Sequence, residues 1–149
     1  MNGQLKPLVK TLDESYAKAP ALPKQWKDLL VNFAPWLALL GGVILVFGAI
    51  SLLGLGSFLS PFAMLAGAGS FAITWLIAAA FLLVGGILEL LAFSPLKARK
   101  ERGWNLMFYA LLLNALSSVV RLNVSDIVMA ILGFLIGYYF LYQVKSYYK

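Results

Sequence analysis

The stretch LLVNFAPWLALLGGVILVFGAISLLGLGSFLSPFAMLAGAGSFAITWLIAAAFLLVGGIL spans residues 29–88 and contains no charged side chain. A helix buried in a water-soluble protein of this length would keep a polar face, and none recurs here. A lipid bilayer is the only plausible solvent for so long an apolar run, and only helices or closed barrels satisfy their backbone there. Because the run is continuous rather than alternating, we predict helices.

The composition agrees with a membrane protein and excludes many chemistries. Hydrophobic residues make up 62% of the 149 residues and charged residues only 12%. The absence of cysteine and histidine rules out disulfides, Cys/His zinc sites and a histidine general base. No phosphate-binding loop, HExxH motif or nucleophile elbow occurs in the sequence. We therefore predict a non-enzymatic protein that uses no cofactor and no metal.

The apolar runs predict an all-α membrane protein with four transmembrane helices in an antiparallel bundle. Each run is close to the ~20 residues that cross ~30 Å of hydrocarbon. An amphipathic N-terminal segment, 1–33, precedes the transmembrane domain, 34–144, and a basic tail, 145–149, follows it. The predicted spans are 34–55, 70–93, 104–122 and 127–144.

The distribution of basic residues predicts the orientation. The motif KARKER, residues 97–102, interrupts the apolar sequence between the second and third predicted spans. With an even number of spans, this loop and both termini lie on one side, which holds every basic residue except Arg121. Because positive residues accumulate on the cytoplasmic side, we predict a multi-pass protein of the bacterial inner (cell) membrane with both termini cytoplasmic.

The basic loop is also predicted to contact anionic lipid headgroups, through Lys97, Arg99, Lys100 and Arg102. Orientation explains the net charge of +6, so nucleic-acid binding is not predicted.

The N-terminal segment carries apolar residues at helical spacing. Leu5, Val9, Leu12 and Tyr16 fall on one face, and charged residues lie on the others. This pattern predicts an amphipathic helix on the inner leaflet, ended by the prolines of APALP, residues 19–23. A short interfacial segment then leads into the first span. The alternative is a partly disordered tail, since so short a helix is marginal alone.

The third predicted span carries a polar stripe. Asn114, Ser117, Ser118 and Arg121 share one helix face, because they are spaced i, i+3, i+4 and i+7. An unpaired amide is costly in hydrocarbon, so this face must point toward the protein interior or a neighbouring chain. It either lines a small hydrophilic pathway or provides interhelical contacts. The second interpretation is favoured, because Ser and Asn are common at packed membrane interfaces.

Glu89 is the one acidic residue well inside a predicted span. It either acts as a protonatable coupling residue or reaches the inner interface and pairs with Lys97 or Arg99. The pairing is favoured, because the sequence places Glu89 about one turn from the cytoplasmic end of its span.

Small residues predict where helices approach closely. Gly133 and Gly137 form a GxxxG pair, which serves either an oligomer seam or an internal contact. Gly41 and Gly42 predict an internal contact of the first span. The loop 56–69 is uncharged and is either a re-entrant element or a short helix in the outer interface, and the second is favoured.

Three segments carry a resemblance to known proteins: KAPALPKQWKDLLVNFAPWLALLGG (18–42), SPLKARKERGWNLMFY (94–109) and YYFLYQVKSYYK (138–149). The chain resembles short four-span membrane proteins of bacteria. The resemblance implies four spans and transfers no catalytic or binding residue.

Two function classes follow from these features. The leading hypothesis is a structural or accessory membrane protein that acts by helix packing, as a homo-oligomer or with a larger membrane-protein partner. The alternative is an oligomeric transporter or channel for a small solute or ion. A transporter should place Glu89, Asn114 and Arg121 around a shared wet cavity, whereas a packing protein should bury the polar stripe dry.

Overall fold

The computed structural model describes residues 5–65, 67, 69–120 and 124–149. Within these residues the chain forms five α-helices and no strand, which confirms the predicted all-α class. A single 3₁₀ turn, Lys145–Tyr147, follows the last helix. The helices are α1 (Lys6–Tyr16), α2 (Lys24–Leu65), α3 (Gly69–Lys97), α4 (Glu101–Val120) and α5 (Val124–Val144).

Three stretches of the described chain are long and apolar enough to cross a membrane, namely Lys24–Leu59, Ile73–Lys97 and Ser125–Tyr147. They confirm the membrane class for the first, second and fourth predicted spans. The third predicted span, 104–122, coincides with α4, which packs between α3 and α5. Four crossings and the orientation of the bundle stay predictions.

Helix α2 corrects the predicted boundaries of the first span. The predicted interfacial segment, the span and most of the loop 56–69 form one helix of 42 residues, with Pro35 and Pro61 inside it. At 1.5 Å per residue this helix is about 63 Å long, roughly twice the thickness of the hydrocarbon core. Membrane helices tolerate interior proline, so Pro35 lies inside α2, although the predicted span begins only one residue before it. The turn to α3 contains Gly67, whose φ of 75° lies in the left-handed region that favours glycine.

Helices α2 and α3 cross where two glycine pairs meet. A Cβ on Gly86 would lie 2.9 Å from the carbonyl oxygen of Gly42 and 3.0 Å from the backbone nitrogen of Val46. Only glycine lets the two backbones come this close, so the Gly42–Gly86 contact fixes the crossing point.

The N-terminal helix α1 packs against α5. Val9 is only 2% exposed, and the Tyr16 hydroxyl donates a 2.9 Å hydrogen bond to the carbonyl of Leu135. Burial raises the pKa of Tyr16, so its hydroxyl keeps the proton that it donates. The helix predicted from the apolar spacing is present, but part of its apolar face contacts protein rather than the leaflet.

A charged contact holds α1 in place. The Asp13 carboxylate accepts a 2.8 Å hydrogen bond from the Tyr138 hydroxyl and forms an ion pair with Lys145. The ammonium group of Lys145 also lies over the Trp104 ring, 4.9 Å from its centroid. These contacts join α1, α4 and the end of α5.

Both ends of the described chain and the basic loop meet at one end of the bundle. The backbone N–H of Lys149 donates to the carbonyl of Arg99 at 3.1 Å, and the N–H of Glu101 donates to the carbonyl of Lys149 at 3.3 Å. The side-chain amide of Gln143 donates to the carbonyl of Pro20 at 3.1 Å. These contacts bring the three segments together, and their place on one side of a membrane stays a prediction.

We expect Asp13→Asn to loosen α1. The change removes the ion pair with Lys145 and weakens the hydrogen bond from Tyr138, a loss of about 1 kcal/mol for partly exposed groups. Hydrogen exchange of the backbone amides of α1 should become roughly five- to tenfold faster. Glu14→Gln is the matched control, because Glu14 pairs at 3.9 Å with Lys10 in an exposed contact that contributes little. Equal exchange rates in the two variants would contradict this role of Asp13.

Candidate functional site

Two cavities lie between the helices and share part of their lining. The smaller, about 150 Å³, is bounded by α2, α3 and α4. The larger, about 440 Å³, is bounded mainly by α2, α4 and α5. Glu89, Ala110 and Asn114 line both cavities. The two polar residues that the sequence singled out on different spans therefore meet at one place.

The two cavities extend in opposite directions from this junction. The larger one is lined by Leu30 and Val144, which lie near the basic end of the bundle, and the smaller one by Leu52 and Thr74. Along α2 the larger cavity is lined between Leu30 and Leu37 and the smaller one between Leu45 and Leu52. The two linings together lie within about 33 Å at 1.5 Å per residue. This length is close to the ~30 Å of a bilayer's hydrocarbon core.

Glu89 lies deeper in the bundle than the sequence suggested. Helix α3 continues to Lys97, so Glu89 is about 12 Å from the helix end rather than one turn from it. Its carboxylate lies against Gly41 of α2, where any side chain larger than hydrogen would fall on the Glu89 Oε2 atom. Gly41 thus supplies the space that the carboxylate occupies.

The predicted ion pair of Glu89 with Lys97 or Arg99 is wrong. The Lys97 ammonium lies 5.9 Å from the centroid of the Trp36 ring, and Arg99 donates a 3.2 Å hydrogen bond to the Asn32 side chain. Among the described residues, no basic side chain lies within ion-pairing distance of the Glu89 carboxylate. The carboxylate therefore lines the cavities without a neutralising partner from this part of the chain.

The polar stripe of α4 divides into two parts. Asn114 and Ser117 line the smaller cavity, whereas Ser118 is buried, with 5% of its surface exposed. The hydroxyl groups of Ser117 and Ser118 donate to the backbone carbonyl of Asn114, at 2.7 and 3.5 Å. Asn114 is thus the member of the stripe that borders both cavities. Arg121, the fourth member of the stripe, lies outside the described residues.

The two glycines of the GxxxG pair have different surroundings. A Cβ on Gly137 would lie 2.7 Å from Leu111 Cδ1, so Gly137 serves the packing of α5 on α4. No described atom lies within 4 Å of the position that a Cβ on Gly133 would take. The pair is therefore divided between an internal contact and an open face.

Sequence reasoning missed Gly86 as a packing residue. The signal that could have found it is the likeness between LLGGVILVF (39–47) and LVGGILELL (83–91), a faint internal repeat. The structure brings the two glycine pairs into contact, with Gly42 against Gly86 and Gly41 against Glu89. The same crossing therefore packs the helices and positions the carboxylate.

The basic loop is exposed at the end where the termini meet. Lys97, Arg99, Lys100 and Arg102 are all exposed, and Arg99 adopts a positive φ of 52° in the turn. Gly103 is buried, and a Cβ there would lie 2.6 Å from the backbone nitrogen of Leu96, so glycine lets α4 start against the end of α3. The four cations are accessible to lipid headgroups, and that role stays a prediction.

The described residues define an all-helical protein with three helices suited to cross a membrane and an acidic group that lines two partly open cavities between its helices. The described part of the chain contains no cluster of three side chains of the kind that holds a metal ion. Comparison with protein-family models, curated proteins and solved structures finds no match to this chain.

Proposed function

We propose that this protein conducts a small solute or ion through the membrane, as a transporter or channel. One observation carries the proposal: two cavities share Glu89 and Asn114 in their linings, and their linings along α2 together lie within about 33 Å, close to the hydrocarbon thickness. An intramembrane acid in such a place is typical of substrate and ion pathways. The inner membrane, with the basic loop and both termini in the cytoplasm, is the proposed location.

The chemistry of the junction fits a binding step. An ionised carboxylate away from water is costly unless a proton or a bound cation neutralises it. Asn114 adds an amide that both donates and accepts hydrogen bonds beside the carboxylate. Because Glu89 borders both cavities, a solute bound there has contact with each of them.

Single-cysteine labelling tests the two ends of the proposed route. The chain has no cysteine, so Leu30→Cys and Leu52→Cys can be made without removing any other thiol. A membrane-impermeant thiol reagent should modify Leu30→Cys from the cytoplasmic side and Leu52→Cys from the opposite side. Leu40→Cys is the control, because Leu40 is 59% exposed on the outside of the bundle and should face lipid. Labelling of Leu40→Cys at the same rate as the other two would contradict the proposed route.

The packing role is the second candidate function, and the open face at Gly133 favours it. No described atom occupies the space above Gly133, and Met129 and Ile136 are exposed beside it, by 69% and 59%. Such a face suits the close approach of a helix from a second copy or from a larger membrane protein.

We expect Gly133→Leu to weaken any self-association through α5, because a large side chain separates the two backbones. Native mass spectrometry from lipid-containing micelles measures the oligomer directly. Gly54→Leu is the matched control, since Gly54 is also exposed with no atom within 4 Å of its Cβ position. If both variants retain a stable oligomer, Gly133 does not contribute to self-association.

A further inference from the structure

We infer that the solute of this route is an organic cation with one positive charge and an apolar body. The inference rests on the proposed function and names the chemical class that the same site would bind. It follows from the charge of the junction, from the small number of oxygen ligands there and from the apolar walls of the larger cavity.

Among the described residues, the linings of the two cavities contain one negative charge and no cation. Glu89 is the acidic residue of both linings, and Lys97 and Arg99, the nearest basic residues along the chain, are engaged with Trp36 and Asn32. A neutral solute would leave the neutralisation of the carboxylate to a proton, and an anion would be repelled by the ionised group. A monovalent cation balances the charge without leaving an excess of either sign.

The junction has too few oxygen atoms to replace the hydration shell of a metal ion. Hard cations such as Ca²⁺ take about six to eight oxygen ligands, and Mg²⁺ keeps several waters. The polar side chains of the two linings are Glu89, Asn114, Ser117 and Thr74. Thr74 lies about four turns from Glu89 along α3, and the hydroxyl of Ser117 already donates to the backbone of α4. An organic cation needs no such shell, because its charge is spread over carbon-bound groups.

The walls of the larger cavity fit an apolar body. Met107, Leu37 and Phe140 line it, and its volume of about 440 Å³ lies in the range of small-molecule sites. An aromatic ring such as Phe140 makes favourable contacts with a cation. A thioether such as Met107 makes favourable contacts with a flat aromatic group. The charge would lie at Glu89 and the apolar part against these side chains.

Binding of benzyltrimethylammonium tests the inference, with the whole protein in lipid nanodiscs and empty nanodiscs subtracted. The matched neutral probe is neopentylbenzene, which has the same shape with carbon in place of the charged nitrogen. We expect the cation to bind at least tenfold more tightly than the neutral probe, and tetramethylammonium, which lacks the apolar body, to bind at least tenfold more weakly than benzyltrimethylammonium. Glu89→Gln should remove the preference for the charged probe, while Glu14→Gln on the exposed surface of α1 should retain it.

The outcomes separate this inference from the proposed function. Equal binding of the charged and neutral probes, or no binding of benzyltrimethylammonium at millimolar concentration, would overturn the organic-cation assignment even if Leu30→Cys and Leu52→Cys label as expected. Loss of binding in Glu89→Gln counts only if its far-ultraviolet circular dichroism matches that of the natural chain. Glu89→Asp provides a second variant, because it retains the charge and should keep part of the preference.

Discussion

Gly86→Ala is expected to destabilise the protein by up to about 2 kcal/mol, because overpacking a close contact costs about 1–3 kcal/mol and alanine regains about 1 kcal/mol in a helix. The new methyl group would lie 2.9 Å from the carbonyl oxygen of Gly42 and 3.0 Å from the backbone nitrogen of Val46. Backbone atoms cannot rotate away as a side chain does, so the crossing of α2 and α3 must open. The cost exceeds the gain of about 1 kcal/mol that alanine brings over glycine in a helix.

Gly54→Ala is the control that separates the cost of overpacking from the helix preference of alanine. No described atom lies within 4 Å of its Cβ position, so only the helix preference of alanine remains. We expect this variant to be neutral or up to about 1 kcal/mol more stable than the natural chain. Unfolding in mixed micelles with increasing dodecyl sulfate, followed by circular dichroism, measures both variants. If Gly86→Ala proves as stable as Gly54→Ala, the glycine crossing does not hold α2 and α3 together.

The second large effect is expected at Glu89, measured through a reporter at the junction. Asn114→Cys places a thiol in the lining that the two cavities share with Glu89. A charge about 10 Å away at an effective dielectric of about 20 contributes about 1.7 kcal/mol, which is roughly tenfold or more in rate. A thiol reagent carrying trimethylammonium should therefore react at least tenfold faster than its sulfonate counterpart, after correction for their intrinsic rates.

Adding Glu89→Gln to Asn114→Cys should abolish this preference, because glutamine keeps the shape and removes the charge. Adding Glu14→Gln instead should preserve it, since Glu14 lies on the exposed surface of α1. The measurement is the ratio of the two labelling rates in membrane vesicles. A ratio that Glu89→Gln leaves unchanged would mean that the Glu89 carboxylate does not act on the cavity at Asn114.

The fold was predictable from the sequence because apolar length alone identifies membrane helices. The uncharged run 29–88 contains α3 up to Leu88 and most of α2, and the basic loop marks the turn between α3 and α4. The ends of α2 were not predictable in the same way. Pro35 and Pro61 signal helix boundaries in water, whereas an apolar surrounding penalises any break in the backbone hydrogen bonds and extends the helix through both.

The candidate site was predictable in its residues and not in its arrangement. Glu89 and Asn114 are conspicuous because charged and amide groups are rare in apolar spans. Their meeting depends on how α3 and α4 are rotated about their axes. The polar stripe of α4 indicates which of its faces is covered, whereas α3 is apolar on every side apart from Glu89 and carries no pattern that fixes its rotation. The expected pairing of Glu89 with Lys97 or Arg99 failed for the same reason, because sequence distance placed them close while Gly41 opened a position against α2.

The docking of α1 also required the structure. Its amphipathic spacing predicts a helix and an apolar face, and a membrane surface or a protein surface satisfies that face equally well. Asp13 holds α1 on the protein surface through Tyr138 and Lys145, which are more than a hundred residues away along the chain. Tyr138 itself is fully buried, and its hydroxyl donates to the Asp13 carboxylate of α1.

The most direct test of the conducting role is the labelling of Asn114→Cys from each side of the membrane. Right-side-out and inside-out vesicles are exposed to the same impermeant thiol reagent, and Ala92→Cys, at a position with 0% exposure, serves as the buried control. If the two cavities form one route, Asn114→Cys reacts from both sides and Ala92→Cys reacts from neither. If Asn114→Cys is unreactive, or reacts from one side only, the cavities do not join across the membrane and the conducting role is wrong.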